Sequence, residues 1–181
     1  MIRYLIVIAL VAAGCGEKQE KKADAPAVQP PAVHPAVAKL TLTTDPGDAM
    51  PVVDAKKTAA RDEVVVVGRI DNIVKGFATF NIVDESLDYC NSGDDPMENC
   101  PTPWDYCCTN PDHKSAGTMT IEARGDDGAV LKSTLPGLRL LDLIVVRGKL
   151  VKDEHGNVTV RATGWFRRDR PELKGELRWP E

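Results

Sequence analysis

The chain has 181 residues, 28% of them charged, and a formal net charge of −4. That balance lacks the basic footprint that nucleic-acid binding usually shows, so nucleic acid is a disfavoured partner. The length suits one modest domain with a tail.

The chain opens with Arg3 and an apolar run from Tyr4 to Ala13, then Ala12-Ala13-Gly14-Cys15. That is the layout of a signal peptide, and the run is too short to span a bilayer, which takes about 20 residues. Residues 1–14 are therefore expected to be removed, which takes away Arg3 and leaves a net −5. The ending resembles a bacterial lipobox, which implies a lipid on Cys15 and attachment to the cell envelope, facing the periplasm. Gly16 stands where related lipoproteins retained at the inner membrane carry Asp, which points to the outer membrane.

Residues 15–61 read as a disordered Pro/Ala/Lys-rich tether. Six of the thirteen prolines lie between Pro26 and Pro51, and such segments are extended and semi-rigid. His34 in this stretch reads as inert. The domain is expected over residues 62–170. Glu63 to Ile70 is a β-branched run, a strand with both faces largely buried. Gly68 within it suggests a bulge or bend, and Asp71-Asn72 a turn. Phe77 to Val83 is a second strand, with Ala78, Phe80 and Ile82 on one face. Thr118 to Arg124 alternates, with Met119, Ile121 and Ala123 inward. Leu143 to Val151 puts Ile144, Val146, Gly148 and Leu150 on one face. Val158 to Phe166 aligns Val158, Val160, Ala162, Gly164 and Phe166. Residues 171–181 read as a charged, frayed tail in which Leu177 and Trp179 are candidates for docking.

Five short alternating strands argue for a small all-β barrel or sandwich. Their motifs narrow that further. Val66-Val67-Gly68-Arg69-Ile70 opens the first strand. Phe80-Asn81-Ile82-Val83-Asp84 looks like the second strand of bacterial OB-folds, and Ile144-Val145-Val146-Arg147-Gly148-Lys149-Leu150 is similar to the fourth. Together they resemble a five-stranded OB-like barrel. The segment CPTPWDYCC is also similar to one in uncharacterised lipid-anchored bacterial OB-like proteins. The usual helix between strands three and four is reduced to Leu138–Asp142 at most. A Cys-rich insertion, residues 88–113, fills the connection between strands two and three and is expected to cover a barrel end.

Four of the five cysteines lie in that insertion: Cys90, Cys100, Cys107 and Cys108. An odd count in an exported chain needs an explanation, and lipid on Cys15 supplies one. The remaining four are expected to form two disulfides in an oxidising compartment. Adjacent Cα atoms lie about 3.8 Å apart, shorter than a disulfide's usual span of about 4.4–6.8 Å. A 107–108 bridge is thus disfavoured, and Cys90 and Cys100 each pair with one of the two, in either order. If the chain is extended there, Cys107 and Cys108 point to opposite sides. A sharper alternative is zinc or copper on the four thiolates, with His113 as a further ligand. The spacing C-x9-C-x6-C-C lacks the C-x2-C knuckles of structural zinc sites, and no C-x-x-C redox motif is present. Asp94, Asp95, Glu98, Asp105 and Asp112 read as a solvated acidic loop rather than a calcium loop.

No Ser-His-Asp constellation, phosphate loop or H-E-x-x-H occurs in the sequence. The expectation is an envelope lipoprotein whose barrel is a non-catalytic binding or structural module without a cofactor. Its partners would be the membrane, through the lipid, and an envelope protein or polymer. Trp104, Tyr106, Arg124, Arg147 and Arg161 are candidates for the binding surface. A metal or thiol-redox protein is the alternative. Single-stranded nucleic-acid binding, drawing on Arg69, Arg124, Arg147, Lys149, Arg161, Arg167 and Arg168, is a second.

Overall fold

The alternating segments form strands where their apolar residues share a face. In chain order these are β1 (Met50–Pro51), β2 (Arg61–Ile73), β3 (Thr79–Val83), β4 (Thr118–Glu122), β5 (Leu143–Lys152) and β6 (Val158–Asp169). The computed structural model describes residues 32–90, 92–93, 100–172 and 179. The expected signal segment, Cys15, the tether as far as Pro31, and Asp94, Asp95, Glu98 and Leu177 lie outside the described residues.

β2 pairs antiparallel with β3 and with β5, β3 with β4, and β5 with β6, while β4 and β6 run parallel. The sheet order β1-β2-β3-β4-β6-β5, with β2 also joined to β5, closes five strands into a barrel and leaves β1 as an extra strand on β2. Closure removes the exposed edges that a small open sheet would present. This is the small all-β, OB-like barrel that the sequence implies.

The long β2 carries β1 at Val66 and Val67 and serves its two barrel neighbours in succession, β5 along residues 61–69 and β3 along residues 69–73. A register shift between Ile70 and Asn72 bends it midway. The chain therefore passes through Asp71-Asn72 as strand rather than turning there. A bulge re-aims a strand without ending it. Gly68 is not the bulge. A Cβ at that position would stand 2.7 Å from the Val83 carbonyl oxygen, so the strand needs glycine for close packing.

The barrel interior is filled by the residues the alternation selects. Val64, Val66 and Ile70 of β2 meet Ala78, Phe80, Ile82, Met119, Ile121, Ile144, Val146 and Leu150, all buried. β6 departs from the expected phase. Arg147 pairs with Gly164 but Gly148 pairs with Ala162, which leaves Thr163 as an extra residue. Past that bulge the faces exchange, so Trp165 rather than Phe166 enters the core, edge-on to Phe80 at 5.7 Å between ring centres.

The expected domain start at Asp62 is corrected by the segment before it. His34 caps α1 (Pro35–Ala38), its Nδ1 accepting from the Ala36 amide, and Pro35 occupies a first-turn position suited to proline. Val37 is buried in the barrel core. The backbone of Leu40 and Leu42 exchanges hydrogen bonds with Trp165 at 2.7 and 2.8 Å. A Cβ on Gly164 would strike the Leu42 side chain, so that glycine admits the segment. α2 (Val52–Lys57) buries Val52 and Ala55. A few apolar residues spaced between prolines dock here, although their composition reads as a linker. At the other end, Arg170 pairs with fully buried Asp142 at 2.6 and 2.7 Å, which ties the last residue of the expected domain to the barrel.

Candidate functional site: the cysteine cap

Residues 84–117 connect β3 to β4, and those of them that the structure describes form a cap with little regular structure. Only α3 (Pro111–Ala116), N-capped by the Asn110 side chain, is helical among the described residues. The cap is pinned at its root. The Asp84 amide donates to the Gly117 carbonyl at 2.9 Å. The Asp84 carboxylate, itself buried, accepts from the Val53 amide at 2.9 Å and from the Ser86 amide and hydroxyl at 3.1 and 2.7 Å. Burial alone would raise its pKa, but these hydrogen bonds from Val53 and Ser86 outweigh burial and hold it below the ordinary carboxylate value. Lys56 of α2 adds bonds to the carbonyls of Ser115 and Thr118 at 2.7 and 2.9 Å. The former tether is thus part of the foundation of the cap.

Above that root lies a small apolar cluster. Tyr106, Val83 and Leu141 are buried, with Leu87, Tyr89, Trp104 and Trp179 packed against them. Trp104 and Trp179 approach with ring centres 6.2 Å apart, the docking expected of Trp179. Arg69 sits over the Tyr89 ring at 5.6 Å and Lys114 over the Tyr106 ring at 5.4 Å. Tyr106 is 1% exposed, and its hydroxyl finds no hydrogen-bond partner among the described residues. Burial pushes that phenol well above its ordinary pKa. Tyr106 is therefore a core residue of the cap, which corrects its place among the candidates for the binding surface.

The cysteines gather beside this cluster. The Cys90 amide donates to the Asp105 carbonyl at 2.8 Å, which joins the two arms of the loop. The Cys90 and Cys107 sulfurs stand 3.2 Å apart, and those of Cys107 and Cys108 3.9 Å apart. The sulfurs of Cys90, Cys107 and Cys108 all lie within 4.8 Å of one another. Cys100 interacts with both Cys90 and Cys107 and also contacts the Thr102 hydroxyl at 3.5 Å. Cys107 and Cys108 sit in a turn, so the extended backbone that would send them to opposite sides is absent. Both sulfurs face one cluster. Neither the Cys90–Cys107 nor the Cys107–Cys108 separation is the ~2.05 Å of an S–S bond.

The thiols influence one another. Burial, then the contact with Cys107, pushes the Cys90 thiol up to about 11. At Cys107 the contact with Cys90 pulls the pKa down, but Cys108, burial and Cys100 together leave it raised. The Thr102 hydroxyl and backbone hold Cys100 below its ordinary value. Cys90 is buried while Cys107 and Cys108 are exposed, so the cluster opens to solvent on one side. A cleft of about 490 Å³ runs alongside it, bounded by Leu87, Tyr89, Cys90, Cys108 and Thr109.

The other expected site residues lie elsewhere. His113 is on α3 and does not belong to the sulfur group among the described residues. Arg124 forks onto Glu122 at 2.6 and 3.1 Å, and Arg161 reaches the same carboxylate at 3.8 Å. Arg69, Lys149 and Arg168 face Asp169, Asp62 and Asp45. Arg147 and Arg167 are exposed. Most of the basic residues thus answer acidic neighbours instead of forming a stripe. A second cleft, about 680 Å³, lies between Phe77, Leu135, Leu138, Arg139 and Trp179. Among the described residues no helix is long and apolar enough to cross a membrane. A scan against protein-family models finds none that matches the chain, and a search of curated proteins returns no match.

Proposed function

We propose that the protein is an envelope lipoprotein, anchored through Cys15, whose OB-like barrel carries the cysteine cap as a non-catalytic binding module. The carrying observation is the convergence of Cys90, Cys107 and Cys108 within 4.8 Å on an exposed, aromatic-backed edge of the barrel. Interior alternation and closure account for the barrel; they do not account for a cap that gathers exposed Cys107 and Cys108 onto buried Cys90. The paired arginines support a partner other than nucleic acid, because a phosphate chain needs unopposed cations along its path. An envelope protein or polymer that contacts the cap is the partner class this reading favours.

Two arms test it. Cys15→Ser should move the protein from the detergent-extracted membrane fraction to a soluble or unprocessed form. Unchanged membrane association with a mature N-terminus other than Cys15 contradicts the anchor. A photo-crosslinking residue at exposed Pro101 should trap a discrete adduct in intact cells, while one at Lys149, on β5, should not. Equal yields, or none at Pro101, contradict the cap as the working face.

A further inference from the structure

We propose that the four cysteines of the cap form a thiolate site for a single soft d10 cation, zinc or cuprous copper. This rests on the cap being the working part of the molecule, and it adds the chemistry that holds the cap together. Thiolate sulfur selects this class of ion over calcium or magnesium, which take oxygen.

The sulfur arrangement favours one centre over two bridges. With Zn–S bonds of about 2.3 Å, the sulfur–sulfur edge of a tetrahedron is about 3.8 Å. The Cys107–Cys108 separation of 3.9 Å matches that edge. Cys90 needs to draw back from Cys107 by only about half an ångström to match it as well, from 3.2 Å. Two disulfides call for two separate pairs. Here the sulfurs of Cys90, Cys107 and Cys108 form one group within 4.8 Å, with Cys107 next to both of the others, and Cys100 interacts with Cys90 and Cys107 from outside that group. The turn at Cys107–Cys108 aims adjacent sulfurs to the same side, which overcomes the usual objection to neighbouring cysteines on one ion.

The surroundings agree. The exposed sides of Cys107 and Cys108 provide an entry path. The Thr102 hydroxyl beside Cys100 and the Cys90–Asp105 backbone bond orient the sulfurs from outside the cluster, the supporting role that outer partners play at metal centres.

The full mature chain, purified from the envelope without reductant, should contain about one equivalent of zinc or copper. Four thiols should become alkylatable only after denaturation in chelator. If the metal is lost on purification, the reduced chain titrated with cadmium should develop a sulfur-to-metal charge-transfer band that breaks at one equivalent. Cys108→Ser should then weaken cadmium binding by more than the 10–100-fold that losing an outer partner typically costs, with the far-ultraviolet circular dichroism of the barrel unchanged. A non-reduced mass about 2 or 4 Da below the reduced mass, reporting one or two S–S bonds, overturns the site. So does a reduced chain that gives no cadmium band, or a Cys108→Ser chain that binds cadmium as the parent does. Crosslinking at Pro101 would still stand in those cases, so the two readings fail separately.

Discussion

The barrel and the cap are stabilised in different ways. Among the described residues, the barrel gathers nineteen buried residues into one cluster, whereas the cap cluster holds three. The barrel buries side chains that a period-two pattern places on one face, and its backbone bonds run strand to strand. The cap has one short helix, no strand among the described residues, and cohesion concentrated in Tyr106, the Asp84 pin and the sulfurs. A distributed core tolerates the loss of any one contact better than a few-point assembly does, because burial adds up over many side chains. The two regions should therefore respond to different perturbations.

Phe80→Ala should have the largest effect. Phe80 is fully buried against Trp165, and such truncations cost about 3–5 kcal/mol. Denaturant unfolding should show barrel and cap lost together, since the cap stands on β3. A selective loss of the cap would contradict that order of dependence.

Asp84→Asn should come next. It weakens the bonds that tie α2 and the cap root together, at about 1–3 kcal/mol. The pH dependence has a defined sign. The Asp84 carboxyl is held below its ordinary value in the folded chain. Its contribution is thus present above the unfolded pKa of about 3.9 and is lost as pH falls through the lower folded value. Acid titration of stability should show this loss in the parent and a smaller one in Asp84→Asn. Identical acid limbs would contradict the role of the pin.

The sequence exposes the barrel because alternation is a local signal. The inward faces of β3, β4 and β5 are readable from Phe80, Met119 and Ile144 and their neighbours two residues away. What escapes reading is set by non-local pairing. The bulge at Thr163 depends on the register between β5 and β6, and it exchanges Phe166 for Trp165 in the core. Docking of Leu42 depends on Trp165, more than a hundred residues later, and docking of α2 depends on Gly68, Asp84 and Thr118, so proline content dominates the appearance of this segment in the chain. Asp84 is visible as the last residue of a strand motif, but its partner Val53 lies in the stretch that reads as tether. In the cap, four cysteines mark the place, yet the turn that brings Cys107 and Cys108 to one side carries no period to read.

The central claim is that the cap is a separate unit held by its sulfur cluster. Hydrogen exchange, measured on the chain as purified and again after chelator and reductant, tests it most directly. The amides of Leu87, Cys90, Asp105 and Thr109, each bonded within the cap, should exchange faster by at least about tenfold, corresponding to ~1.4 kcal/mol. Those of Val65 to Val67 and Ile144 to Val146 in the barrel should be unchanged. Unaltered cap protection, or an equal acceleration in both regions, would contradict the account.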